Sequence, residues 1–320
     1  MAEWALLGIP VGIVLLYIGS EAMVDGAKKL AIRLGVTPFV VGLTIVAIGS
    51  SAPEAITSLV SGGNPEIIIG NIVGSNSANA GLAIGLAAVI SPIACKFAEI
   101  RFEMSAMMVA VLAILALSLN GIIGFIDGIV LLALLLVFIF SVYKVKVKEA
   151  RTAEGEEETE DSNVSAALCL LLIVVGMAAL YFGADWFVGG AVRLAEISGA
   201  SDLMIGLILV ALGSALPEIC ICLMAAYRRE DELVVSNIVG SIVFNTFFAL
   251  GIGALFSDIP IRNETMMFHI PVMVILALLV FIFVRHRDRI DRKEGAVLFS
   301  VYAAYILSMV VFPQLTGGMF

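Results

Sequence analysis

Charge is what this sequence has least of for its length. Of 320 residues only 14% are Asp, Glu, Lys or Arg, against 61% hydrophobic. That leaves too little polar surface to solvate the one to three soluble domains such a length would ordinarily build. Histidine occurs only twice, and there is no His-Glu-x-x-His run, no Ser with a His base and no paired intramembrane Asp, so an intramembrane enzyme finds no carriers for its chemistry. The four cysteines, Cys95, Cys169, Cys220 and Cys222, have no zinc-type spacing. They read as small buried hydrophobes, with no disulfide assigned. Strand-type alternation is missing as well.

What remains is a series of apolar runs of about twenty residues, each long enough to cross about 30 Å of hydrocarbon as a helix. We place ten spans at roughly 4 to 20, 37 to 61, 66 to 91, 101 to 119, 121 to 142, 164 to 187, 203 to 227, 232 to 256, 264 to 284 and 295 to 313. An even count puts both termini on one side. With the N-terminus outside, every Lys and Arg except Arg193 and Arg262 falls on the inner side, a strong positive-inside bias that supports count and orientation together. The first span follows Met1 closely and lacks a basic leader or a cleavage site, so it reads as a retained helix. Much of the net charge of −9 sits in one run, Glu154 to Asp161. That run reads as a solvated cytoplasmic linker, with a cation-attracting or regulatory segment as the alternative.

The chain repeats itself. Tyr17 to Gly42 aligns without a gap with Tyr181 to Gly206, and the match continues from GLTIVAIGSSAPE (Gly42 to Glu54) to GLILVALGSALPE (Gly206 to Glu218). It resumes with NIVGSNSAN (Asn71 to Asn79) against NIVGSIVFN (Asn237 to Asn245). Five spans in each half force the second to enter the membrane from the opposite side, so the repeat is inverted. The expected organisation is a first five-helix repeat over 1–143, an acidic linker over 144–163 and a second repeat over 164–320, with the most similar portions at about 37–91 and 203–256. Inverted repeats are characteristic of secondary transporters, whose substrate site lies near the midplane between the repeats.

Glu54 and Glu218 each fall about halfway along an otherwise apolar span, where a charge costs on the order of 3 kcal/mol or more. Two of them at matching positions, each after Gly-Ser-x-x-Pro, point to function; a protonated Glu bonded to a neighbouring helix is the structural alternative. Pro53 and Pro217 would free the carbonyls of Gly49 and Gly213, which can line an ion cavity or merely mark a packing kink. Ser50 and Ser51 share a helix face with Glu54, as Ser214 does with Glu218. Asn71, Ser75 and Asn79 repeat at i, i+4 and i+8 along one face, mirrored by Asn237, Ser241 and Asn245. Asn71 and Asn237 could equally be interhelical glue. Cys222, four residues after Glu218, could suggest a softer metal but has no thiol partner in the other half. The set is otherwise oxygen alone, which points to a hard cation. Two carboxylates balance one Ca²⁺, or two Na⁺ with a third in excess, so one cage could hold either ion in turn. Glycines such as Gly70, Gly74, Gly81, Gly85, Gly240, Gly251 and Gly253 permit close helix packing. Asp25, Asp127 and Asp185 lie near span ends and read as interfacial.

These motifs resemble the Ca²⁺/cation antiporter superfamily, and within it the prokaryotic Na⁺/Ca²⁺ exchangers, over essentially the full chain. Gly49 to Glu54 with Asn71 to Ser75 is similar to the family's first α-repeat, and Gly213 to Glu218 with Asn237 to Ser241 to its second. The resemblance implies an all-α, ten-helix membrane fold, four cation positions in a diamond, and a two-helix bundle of spans one and six sliding past a fixed core. It implies that Glu54 and Glu218 bind Ca²⁺ with help from Ser50 and Ser214. An inward Na⁺ position would add the Ala47 carbonyl, Ser51 and Ser75; an outward one the Ala211 carbonyl and Ser241; Asn79 and Asn245 would line the middle. Two residues depart from the pattern. Ala215 stands where Ser is usual, removing a hydroxyl from the outward position, and Asn245 replaces the Asp of some relatives, including the K⁺-dependent branch. The linker is too short for the cytosolic Ca²⁺-sensing domains of animal exchangers. The expected activity is electrogenic Na⁺/Ca²⁺ antiport in the cell membrane, with Ca²⁺/H⁺ antiport by the same fold or a cation channel as alternatives. No enzyme activity, cofactor or nucleic-acid partner is expected, and a monomer suffices for one complete site.

Overall fold

Helix ends follow from local chemistry. In the computed structural model, which describes residues 6–52, 54–56, 65–152, 165–198 and 213–312, α1 (Gly8–Leu34) stops where Gly35 enters the left-handed region at φ 64°, a conformation glycine adopts without a Cβ clash. Pro38 then opens α2 (Pro38–Ser50), its missing N–H costing nothing in a first turn. Further along come α3 (Ile67–Ile90), α4 (Phe97–Ser118), α5 (Phe125–Thr152), α6 (Ala166–Ile197), α7 (Leu216–Arg228), α8 (Asp231–Phe256), α9 (Thr265–Arg287) and α10 (Arg292–Val311). Ser165 caps α6 by accepting from the Leu168 amide at 3.2 Å. A reciprocal capping box joins Asp291 and Glu294 at the start of α10. Replacing Asp291 with Ala removes half of that box and is expected to cost about 1 kcal/mol. Thermal unfolding in detergent checks this; an unshifted midpoint would show that the box is idle.

Among the described residues eight helices, α1, α3 to α6 and α8 to α10, are long and apolar enough to cross a membrane. Their burial separates them into layers. In α3 and α8, 78% of the apolar window is buried, against 33% in α1 and 28% in α6, so α3 and α8 form the centre and the longest helices lie outside. Exposed Leu, Ile, Val and Phe on α5 and α6 are the lipid-facing surface such a chain must offer.

α1 and α6 run antiparallel with their backbones nearly touching. A Cβ on Gly12 would stand 2.7 Å from the Gly183 carbonyl oxygen, and one on Gly19 would stand 2.9 Å from that of Gly176. This pair meets the rest chiefly through α2 and α7, and at one end through two ion pairs, Lys28 with Glu230 at 2.6 Å and Glu21 with Arg228.

The remaining helices interleave across the chain: α3 packs on α10, α4 on α9 and α5 on α8. Short antiparallel strands fasten them at both ends of α4. At one end β1 (Ile93–Ala94) pairs with β4 (Arg289–Ile290), and at the other β2 (Ile122–Ile123) pairs with β3 (Ile259–Pro260). Among the described residues four helices also contain one widened turn, at Gly42–Val46 in α2, Asn79–Ala83 in α3, Asn245–Leu250 in α8 and Thr265–His269 in α9. Such π turns inside α-helices concentrate at functional sites.

Candidate cation site

α7 begins at the candidate site instead of running through it. Ser214 and Ala215 form a turn, Leu216 starts the helix, Pro217 occupies its first positions and Glu218 its first turn. The free amides there carry the positive end of the helix dipole toward the carboxylate. In the first half α2 ends at Ser50, Ser51 leaves helical geometry at φ −89° and ψ 6°, and Glu54 to Ile56 are helical again. Pro53, and with it the expected release of the Gly49 carbonyl, lies outside the described residues.

The two carboxylates are fully buried and each receives a hydroxyl. Ser75 donates to Glu54 Oε1 at 3.1 Å, and Ser51 donates to Glu218 Oε1 at 3.1 Å. Two further hydroxyl contacts lie in the same cluster: Ser75 meets Ser214 at 3.4 Å, and Ser50 meets Ser241 at 3.4 Å. Each joins one half of the chain to the other. They are repeat mates, since Ser50 corresponds to Ser214 and Ser75 to Ser241. Ser51, just beyond α2, has no such mate because Ala215 stands there, so its hydrogen bond to Glu218 has no counterpart from position 215. The missing hydroxyl flagged in the sequence is thus visible as an asymmetry of the hydrogen bonds.

At the middle of α3 and α8, Asn79 and Asn245 are fully buried, and each opens a widened turn. Both polar atoms of the Asn79 side chain, Asn245 Oδ1 and Glu218 Oε2 are buried without a hydrogen-bond partner. An unsatisfied buried polar atom costs about 1–3 kcal/mol, and three of these four are oxygens, Asn79 Oδ1, Asn245 Oδ1 and Glu218 Oε2, the kind of acceptor that an oxygen-coordinated ion would satisfy. The Ala47 carbonyl accepts from both the Ser51 amide at 3.1 Å and the Ser50 hydroxyl at 3.3 Å. Ala211 lies outside the described residues.

Asn237 behaves as glue: it accepts from Ser50 at 3.4 Å and donates to Cys222 Sγ at 3.5 Å, tying α2, α7 and α8. Cys222 is engaged there and with the Val234 carbonyl at 3.9 Å, which places its thiol between helices. Asn71 is half-buried with its amide nitrogen unpaired. Asn76 and Thr246 escaped the sequence reading. Each stands next to a motif residue, and the polar run SNSAN was the available signal.

The sequence profile of the sodium/calcium exchanger proteins matches residues 4–144 and 168–311. The chain belongs to the sodium/calcium exchanger family. It is 36% identical over 302 residues to an uncharacterized membrane protein of Methanocaldococcus jannaschii, covering 93% of this chain and 95% of that one. It is 31% identical to the sodium/calcium exchanger MaX1 of Methanosarcina acetivorans, covering 92% and 95%. A solved structure of the sodium-calcium exchanger NCX_Mj superposes with a TM-score of 0.83 at 32% identity, over 97% of this chain and 99% of that one. The fold of this exchanger is therefore a transporter fold, and the family is one of antiporters, not enzymes.

Proposed function

We propose that this protein is an electrogenic Na⁺/Ca²⁺ antiporter that works by alternating access, with Na⁺ inflow driving Ca²⁺ out. The observation that carries the reading is the cluster of Glu54, Glu218, Ser50, Ser51, Ser75, Ser214 and Ser241, in which two fully buried carboxylates from different parts of the chain each accept a serine hydroxyl and two serine pairs join the halves. Hard oxygen donors suit both Na⁺ and Ca²⁺, and a shared pair of acids lets either ion occupy the cage while excluding the other. In this reading Glu54 and Glu218 hold Ca²⁺ with Ser50 and Ser214. Ser51, Ser75 and the Ala47 carbonyl serve the inward Na⁺ position, Ser241 and the Ala211 carbonyl the outward one, and Asn79 and Asn245 line the middle.

Ten spans in two inverted five-helix repeats, 1–143 and 164–320 about the linker 144–163, are the organisation we propose. The strand pairs support it. Exchanging the halves turns the β1–β4 pair into the β3–β2 pair, at the opposite end of α4. The same exchange turns Ser75–Ser214 into Ser241–Ser50. The basic residues place the linker in the cytoplasm and both termini outside the cell membrane. One chain supplies a whole site, so the working unit is a monomer.

Three Na⁺ for one Ca²⁺ moves one net charge per cycle, worth about 2.3 kcal/mol per 100 mV. In proteoliposomes ⁴⁵Ca²⁺ uptake is expected to require internal Na⁺ and to respond to a clamped potential. Flux indifferent to voltage would replace electrogenic with electroneutral exchange. Uptake driven by a proton gradient alone would move the protein to Ca²⁺/H⁺ antiport.

A further inference from the structure

Asn245 is tethered and Asn79 is not. Asn245 Nδ2 donates to Asn76 Oδ1 at 3.3 Å, and Asn76 Nδ2 donates to Thr246 Oγ1 at 3.2 Å. All three residues are completely buried. An amide side chain carries its donor and acceptor on opposite branches of one planar group, so fixing the nitrogen of Asn245 on Asn76 fixes its oxygen elsewhere. That oxygen is the one left buried without a partner. The device exists once: the repeat mates of Asn76 and Thr246 are Ile242 and Ala80, which can neither accept nor donate through a side chain, and Asn79 has no side-chain partner for either of its polar atoms.

We propose that Asn76 is a positioning residue for the cation site, holding Asn245 so that its carbonyl oxygen, and not its amide nitrogen, faces the ion. The inference rests on the reading of Asn245 as an ion ligand. A carbonyl turned to the cage attracts a cation, whereas the NH₂ of the flipped amide repels it, so the orientation decides the sign of the contribution. Thr246, one residue beyond Asn245 on α8, anchors Asn76 from α3 and completes a chain of three side chains between the two central helices. The first half presents a rotatable amide at its middle position, and the second a fixed one.

A double-mutant cycle on Na⁺-dependent ⁴⁵Ca²⁺ uptake tests this, using wild type, Asn76→Ala, Asn245→Ala and the double variant in proteoliposomes. Asn245→Ala is expected to raise the apparent KM for Ca²⁺ about tenfold, the equivalent of one good buried hydrogen-bonding contact. Asn76→Ala is expected to raise it severalfold with the maximal rate within about twofold, and to add nothing in the Asn245→Ala background. Thr246→Val, which leaves Asn76 in place without its anchor, is expected to shift KM in the same direction and to couple to Asn245→Ala in the same way; it carries the cycle if Asn76→Ala is not monodisperse. Equal KM factors with and without Asn245, or a fall confined to the maximal rate, would show that Asn76 serves packing alone and overturn the proposal. An unchanged KM in Asn245→Ala would instead remove Asn245 from the ligand set, and the inference with it.

Discussion

Glu54→Gln is expected to abolish Na⁺-dependent Ca²⁺ uptake. Gln matches Glu in size and can still accept from Ser75, so the packing around α2 and α3 has no reason to change, while half of the carboxylate charge of the cage disappears. Removing one partner of a buried, hydrogen-bonded charge pair costs about 3–5 kcal/mol, which is more than about a hundredfold in ion binding. Uptake of ⁴⁵Ca²⁺ into Na⁺-loaded proteoliposomes, beside K⁺-loaded controls, reads the effect directly. Retention of even a tenth of the wild-type rate would mean that Glu218 suffices alone and that the two-carboxylate cage is the wrong description.

The second large effect concerns the outer pair of helices. Gly19→Leu is expected to wreck the exchanger, because its Cβ would stand 2.9 Å from both the Gly176 carbonyl oxygen and the Leu180 amide nitrogen. Neither is a side chain that can swing away, and the facing glycine leaves no slack. Overpacking ordinarily costs about 1–3 kcal/mol; here the relief is separation of α1 from α6 along their whole contact. A lowered unfolding midpoint in detergent together with lost exchange is the expected result. Gly189 on α6 serves as the comparison, since a Cβ there meets nothing within 4 Å and Gly189→Leu is expected to fold normally. If the two variants behaved alike, the tight glycine contact would not be what holds the pair.

Much of this was legible in the sequence, for physical reasons. A membrane interior charges heavily for polar atoms, so Glu54, Glu218 and the Ser and Asn residues around them stand out against Leu and Ile as they never would in a soluble protein. Duplication doubled the signal by placing each motif twice. Other features had no such signature. Hydropathy reads a continuous span where α7 begins afresh at Leu216, because a turn at Ser214 and Ala215 is no less apolar than a helix. The widened turns at Asn79 and Asn245 depend on backbone hydrogen-bond register, which composition does not encode. Asn76 and Thr246 lie next to motif residues, and only the crossing of α3 and α8 brings them together.

The strand pairs and the glycine seam divide the molecule in a way that bears on speed. The β1–β4 and β2–β3 pairs lace loops of the central helices together with backbone hydrogen bonds. Among the described residues α1 and α6 share no backbone hydrogen bond with α3, α4 or α7 to α10. At the end of α7 and just beyond it they are tied by the ion pairs Glu21–Arg228 and Lys28–Glu230, both partly exposed and of a kind worth roughly 0–1 kcal/mol each. Translating the α1–α6 rod along the core would therefore trade one set of apolar contacts for another with no ladder to unzip. If exchange proceeds by such a translation, what it must break is two partly exposed ion pairs and no backbone ladder, a combination that allows a fast turnover.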